Sequence, residues 1–139
     1  MRITHNAQMN FQDLRPQWTK AKELRGMNTI LEANEQVFEI AAKDFETKKG
    51  GRAGRPGMSV EQVVRCAIVK QREQLDYRGL EDRIDDSERL RSFCRFGDEK
   101  VPRYRTLQQN IKRLSPKTWE KILQVLVQYA QSQGVDNGK

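Results

Sequence analysis

Residues 106–130 read TLQQNIKRLSPKTWEKILQVLVQYA, and the spacing within this stretch decides the fold class. Leu107, Ile111 and Leu114 stand at i, i+4 and i+7, the step that lines one face of a helix. Ser115 followed by Pro116 supplies an N-cap and a first-turn proline, so one helix closes there and another opens. The second helix sets Trp119, Ile122, Leu123, Leu126, Val127 and Ala130 on its core side and is expected to stop at Gly134. Thr106 and Gln109 have capping-box spacing, which predicts that the first helix starts at Thr106 and runs through Leu114.

The same periodicity continues upstream. Ser59 and Gln62 form a second capping-box pair, ahead of a stripe of Val60, Val63, Val64, Ala67, Ile68 and Leu75. Tyr77, Arg78 and Gly79 read as an interruption, followed by a short helix with Leu80 and Ile84. Asp86 or Ser87 then caps a helix carrying Leu90, Phe93 and Cys94, and residues 97–102 read as a loop. Before all of these, Met27, Ile30, Leu31, Phe38, Ala41, Ala42 and Phe45 predict one helix of about five turns. Between lies KKGGRAGRPGM, residues 48–58, whose four glycines and Pro56 exclude a regular element.

No stretch alternates as a strand would. The expected fold is all-α, a small helical domain with a helix-turn-helix-like region and an N-terminal helical arm. Residues 1–47 are the arm and first helix, with Phe11, Leu14 and Trp18 in the arm; 48–58 are a basic Gly-rich linker. Residues 59–134 form the main helical domain.

Composition bounds the partners. The chain has 139 residues, a net charge of +7 and a pI of about 9.6, a balance that attracts polyanions. No apolar run approaches the ~20 residues that span a bilayer, and no signal pattern opens the chain, so a soluble cytoplasmic protein is expected, with no membrane partner. Cys66, Cys94 and the single histidine, His5, do not have zinc-ligand spacing. Two reduced, partly buried thiols and neither metal nor cofactor are expected.

The positive charge is concentrated. Residues 100–121 hold Lys100, Arg103, Arg105, Lys112, Arg113, Lys117 and Lys121 against one acid, Glu120. Opposite the apolar stripe of the 106–114 helix stand Arg105, Gln108, Gln109, Lys112 and Arg113. Glutamine amides pair with adenine edges and arginine or lysine with guanine acceptors in the major groove. Lys117 and Lys121, one turn apart, suit phosphate contacts that set register. In the linker, Arg52 and Arg55 suit a basic strap along phosphates, beside the alternative of a plain solvated connection.

The carboxylates Glu81, Asp82, Asp85, Asp86 and Glu88 raise a nuclease reading. Their arginine neighbours Arg83, Arg89 and Arg91, and the helix start at Asp86–Ser87, favour a structural one. No Gly-rich phosphate loop, nucleophile elbow or His-containing triad is present in the sequence.

From Gly54 to Leu114 the chain resembles the amino-terminal domain of DDE-type insertion-sequence transposases. The resemblance is carried by Gly54-Arg55-Pro56, the Val60–Leu75 helix, Tyr77 to Glu81, Leu90 to Phe96, Val101-Pro102, Thr106-Leu107 and Arg113-Leu114. It implies a helical domain that recognises the terminal inverted repeats of the element as double-stranded DNA. It also implies that residues 59–134 are the DNA-binding domain and that 135–139 begin the link to a ribonuclease-H-like domain, with Asp, Asp and Glu holding two metal ions. Asp136 lacks the apolar strand expected before the first such aspartate, so no catalytic role is carried onto it. The expectation is a non-catalytic DNA-binding part of a transposase. The alternative is an oligomerisation module, pairing through the 27–45 or 119–130 helix into a homo-oligomer with only non-specific DNA contact.

Overall fold

In a computed structural model, residues 22–46 and 57–133 are described, and every regular element among them is helical. Helix α1 covers residues 22–33, α2 Gln36–Ala42, a 3-10 turn Lys43–Phe45, and α3 Val60–Glu73. Helix α4 (Tyr77–Asp85), α5 (Glu88–Phe93), α6 (Tyr104–Ile111) and α7 (Pro116–Ser132) complete the domain. The N-terminal arm, most of the linker with Arg52 and Arg55, and Gly134 lie outside the described residues.

Helix α3 is the axle of the fold. Its residues Val63 through Val69 are buried without interruption, which an amphipathic surface helix does not show. Helices α2, α4 and α6 pack on it, α5 and α6 lean on α4, and α2 reaches α7. One cluster joins Leu31, Val37 and Ala41 of the first helices with Val64, Leu80, Leu107 and Ile122 of the later ones. The segments on either side of the linker therefore share a single core.

Short-range chemistry sets most helix starts. The Ser59 hydroxyl accepts from Gln62 N–H at 3.1 Å while Gln62 Oε1 accepts from Ser59 N–H at 3.0 Å, closing the capping box. Gln62 also donates through Nε2 to the Arg95 carbonyl, tying the start of α3 to the end of α5. Ser87, rather than Asp86, caps α5, and Ser115 caps α7 with Pro116 in its first turn. Helices α3 and α5 end through left-handed residues, Gln74 at φ +56° and Arg95 at φ +70°. At each end the next N–H returns to a carbonyl five residues back, Leu75 to Lys70 and Phe96 to Arg91.

Five expectations are revised. The single 27–45 helix is broken at Asn34, whose N–H bonds back to Leu31 in a tightened turn while its amide donates to the Ile30 carbonyl. A side chain that competes for backbone groups in this way favours a helix end over a helix interior. Tyr77, Arg78 and Gly79 do not interrupt a helix; they open α4, because Asp76 accepts from Gly79 N–H at 2.7 Å. Helix α6 starts at Tyr104, ahead of Thr106. On α7 the buried stripe is Thr118, Ile122 and Leu126, while Val127 is 52% exposed. The cysteines are buried more fully than expected, and both are free.

Candidate nucleic-acid interface

Helix α6 carries the densest set of expected contact residues, and its placement starts at the core. Leu107 is fully buried, and Ile111 and Leu114 pack against the cluster, so the apolar stripe read from sequence fixes which side faces α3 and α4. No side chain caps α6 from its own N-cap, Arg103. Instead Glu81 of α4 accepts from Tyr104 N–H at 2.8 Å. A carboxylate at a helix N-terminus satisfies an orphan donor and meets the positive end of the dipole. The acidic patch thus places one of its members, Glu81, in a structural role, and among the described residues no three His, Cys, Asp or Glu side chains gather as a metal ion would need. Glu81→Ala is expected to cost about 1 kcal/mol, the usual worth of a helix cap, measured by urea denaturation, with Glu81→Gln recovering part of it.

With that stripe inward, Arg105, Gln108, Gln109 and Lys112 fall on the opposite side at i, i+3, i+4 and i+7. Arg105, Gln109 and Lys112 are exposed and Gln108 is half-buried. The two glutamines and Lys112 have no side-chain hydrogen bond or ion pair among the described residues. Arg103, Lys117 and Lys121 are likewise exposed. Arg113 is exposed too and has partners within the fold: its guanidinium sits 4.6 Å from the centre of the Phe45 ring and donates to the Phe45 carbonyl at 3.4 Å. It fastens the end of α6 to the 3-10 turn after α2.

A neighbouring cation escaped the sequence reading. Arg78 of α4 lies 4.7 Å from the Tyr104 ring centre and donates to its hydroxyl at 3.1 Å, while Arg105 flanks the same ring at 5.9 Å. The guanidinium groups of Arg105 and Arg78 hold the Tyr104 hydroxyl below its ordinary pKa. Arg78 stands among acidic residues in sequence, and only the packing of α4 on α6 brings it to this surface.

A search by family shows the match that decides the affiliation: the transposase domain model (DUF772) fits residues 12–113. The chain belongs to that transposase-domain family. No curated protein and no solved structure matches it. The family match runs well upstream of Gly54, so α1 and α2 are part of the transposase domain as well as of its core. Its last matched residue, Arg113, lies in the turn just after α6, so the α6 face lies inside the match and α7 beyond it. No helix among the described residues of the transposase domain is long and apolar enough to cross a membrane.

Proposed function

We propose that this transposase domain binds double-stranded DNA at the terminal inverted repeats of its element, as a part that positions the ends and performs no catalysis itself. The observation that carries the reading is the α6 face, where Arg105, Gln109 and Lys112 are exposed above a helix anchored by Leu107. Amides and a guanidinium at helical spacing match the donor and acceptor pattern of base edges in a major groove. Arg103, Lys117 and Lys121 supply phosphate contacts that hold register, and Arg52 and Arg55 extend the contact along the backbone. Residues 94–103 separate α5 from α6, so α6 does not follow α5 through the short turn of a helix-turn-helix pair.

Two substitutions separate the roles. Gln109→Ala is expected to cost about 1–3 kcal/mol on the terminal repeat and almost nothing on a scrambled duplex. Lys112→Ala is expected to weaken both duplexes alike and to reduce the salt dependence. Fluorescence anisotropy reads both, and equal, negligible effects would remove α6 from the interface.

A second role, pairing between copies, is favoured by α7. Half-buried Leu123 and exposed Val127 leave an apolar stripe that the core does not cover. Sedimentation of a Val127→Glu variant tests it: a concentration-dependent dimer of the parent protein that becomes monomeric supports pairing through α7, and unchanged sedimentation excludes it.

A further inference from the structure

A second basic surface lies away from α6. Between α1 and α5 the protein has a cleft of about 400 Å³ bordered by Arg25 and Asn28 on one side and Arg89 and Ser92 on the other, with Arg95 at its end. Arg25 and Arg89 form no side-chain hydrogen bond or ion pair among the described residues, and Arg89 is exposed. One carboxylate, Glu88, shares the lining. Arg95 is neutralised by Glu61 and Glu32 at 3.1 and 3.2 Å, so the free positive charge belongs to Arg25 and Arg89.

The donors of this cleft are prepared. Asn28 Oδ1 accepts from Arg65 at 2.8 Å and from Arg95 at 3.3 Å, which fixes the amide and leaves its NH₂ group as the remaining hydrogen-bonding end. Ser92, three residues after Arg89 on the same face of α5, offers a hydroxyl. Two guanidiniums without partners among the described residues, an oriented amide and a hydroxyl around a cleft are what a phosphodiester oxygen needs, and with its Oδ1 occupied Asn28 lacks the paired donor and acceptor that read an adenine edge.

The position within the fold gives the cleft its significance. On α3, Arg65 faces α1 and α5, whereas Ala67 and Lys70 border the groove against Ile111 and Trp119. At about 100° per residue, Ala67 and Lys70 lie within about 40° of the line opposite Arg65, which puts the two sides across the axle helix from each other. We propose that the α1–α5 cleft is a second, sequence-independent contact for duplex DNA, gripping phosphates of a stretch of backbone other than the one α6 reads. The inference rests on the DNA-binding reading but assigns it a separate surface.

The test uses the full chain and its Arg25→Ala/Arg89→Ala variant on a terminal-repeat duplex and a scrambled duplex, with affinity followed against salt. Both side chains lack partners among the described residues, so thermal melting should match the parent protein. Each phosphate contact contributes about 0.9 to the slope of log affinity against log salt, so the variant's slope should fall by about 1.8 on both duplexes. The ratio of affinities for the two duplexes should stay the same. An unchanged slope overturns the proposal, as does a loss confined to the terminal repeat. Loss of binding to phosphatidylglycerol vesicles with duplex binding intact would assign the cleft to a lipid surface instead and would also overturn it. If the parent protein shows no preference for the terminal repeat while the variant still loses slope, the α6 reading fails and the cleft stands.

Discussion

Arg65→Ala should lower the unfolding free energy by about 3–5 kcal/mol, the cost of removing one partner from a buried charged network. The Arg65 side chain is fully buried in the axle helix. It donates to Glu61 at 2.9 Å, to Asn28 at 2.8 Å and to the Phe93 carbonyl at 3.0 Å, and its guanidinium lies 5.0 Å from the Phe93 ring centre. One residue of α3 therefore holds α1 and α5 together. Burial lowers its pKa, with Arg95 adding repulsion and Glu61 opposing both. Among the described residues its Nη2 has no hydrogen-bond partner, so the network they form is incompletely satisfied. For that reason Arg65→Met, which keeps the aliphatic length and removes the charge, should cost less than the alanine variant, under about 2 kcal/mol. Urea denaturation at constant m-value checks both. An alanine variant within 1 kcal/mol of the parent, a conventional threshold for a weak effect, would show the network to be redundant.

Leu107→Ala should cost a comparable amount, about 2–5 kcal/mol, because a fully buried leucine loses its transfer energy and leaves a cavity. Its consequence reaches further than stability. Leu107 is the innermost residue of the helix that presents Arg105, Gln109 and Lys112, and α6 is otherwise tied at its start by Glu81 and at its end by Arg113. A cavity under α6 loosens the face as a unit. Terminal-repeat affinity should therefore fall at temperatures where the domain is still folded, with fast hydrogen exchange confined to α6 and its neighbours. Exchange that speeds up uniformly across the domain would show that α6 does not move apart from the core.

What was legible in the sequence follows from the range of the interaction. Caps at Ser59, Ser87 and Ser115 act over three residues, and the Leu107–Ile111–Leu114 stripe over two turns, so both can be read locally. The α6 contact face inherits this legibility, because it is whatever the stripe leaves outside. The α6 start was misplaced because its cap, Glu81, comes from another helix, while Thr106 offered a local pattern that the backbone does not use. Arg65 falls between buried valines and Cys66, and nothing local shows that an arginine there would be enclosed. Val127 was assigned inward because α7 has more apolar residues than one stripe needs, and its packing against α2 selects among them. Arg113 matches the contact pattern by charge and is exposed, while its packing over Phe45 has no local signal.

Recognition of the element's ends is best tested by fluorescence anisotropy of the protein against the terminal inverted repeat and a scrambled duplex of equal length, at about 50 and 200 mM salt, the span over which phosphate contacts weaken steeply. Tighter binding to the terminal repeat at both concentrations, with a preference that persists as the shared phosphate affinity falls, is the expected result. Equal affinity for the two duplexes at both concentrations would contradict sequence-specific recognition by α6 and leave only the sequence-independent contact.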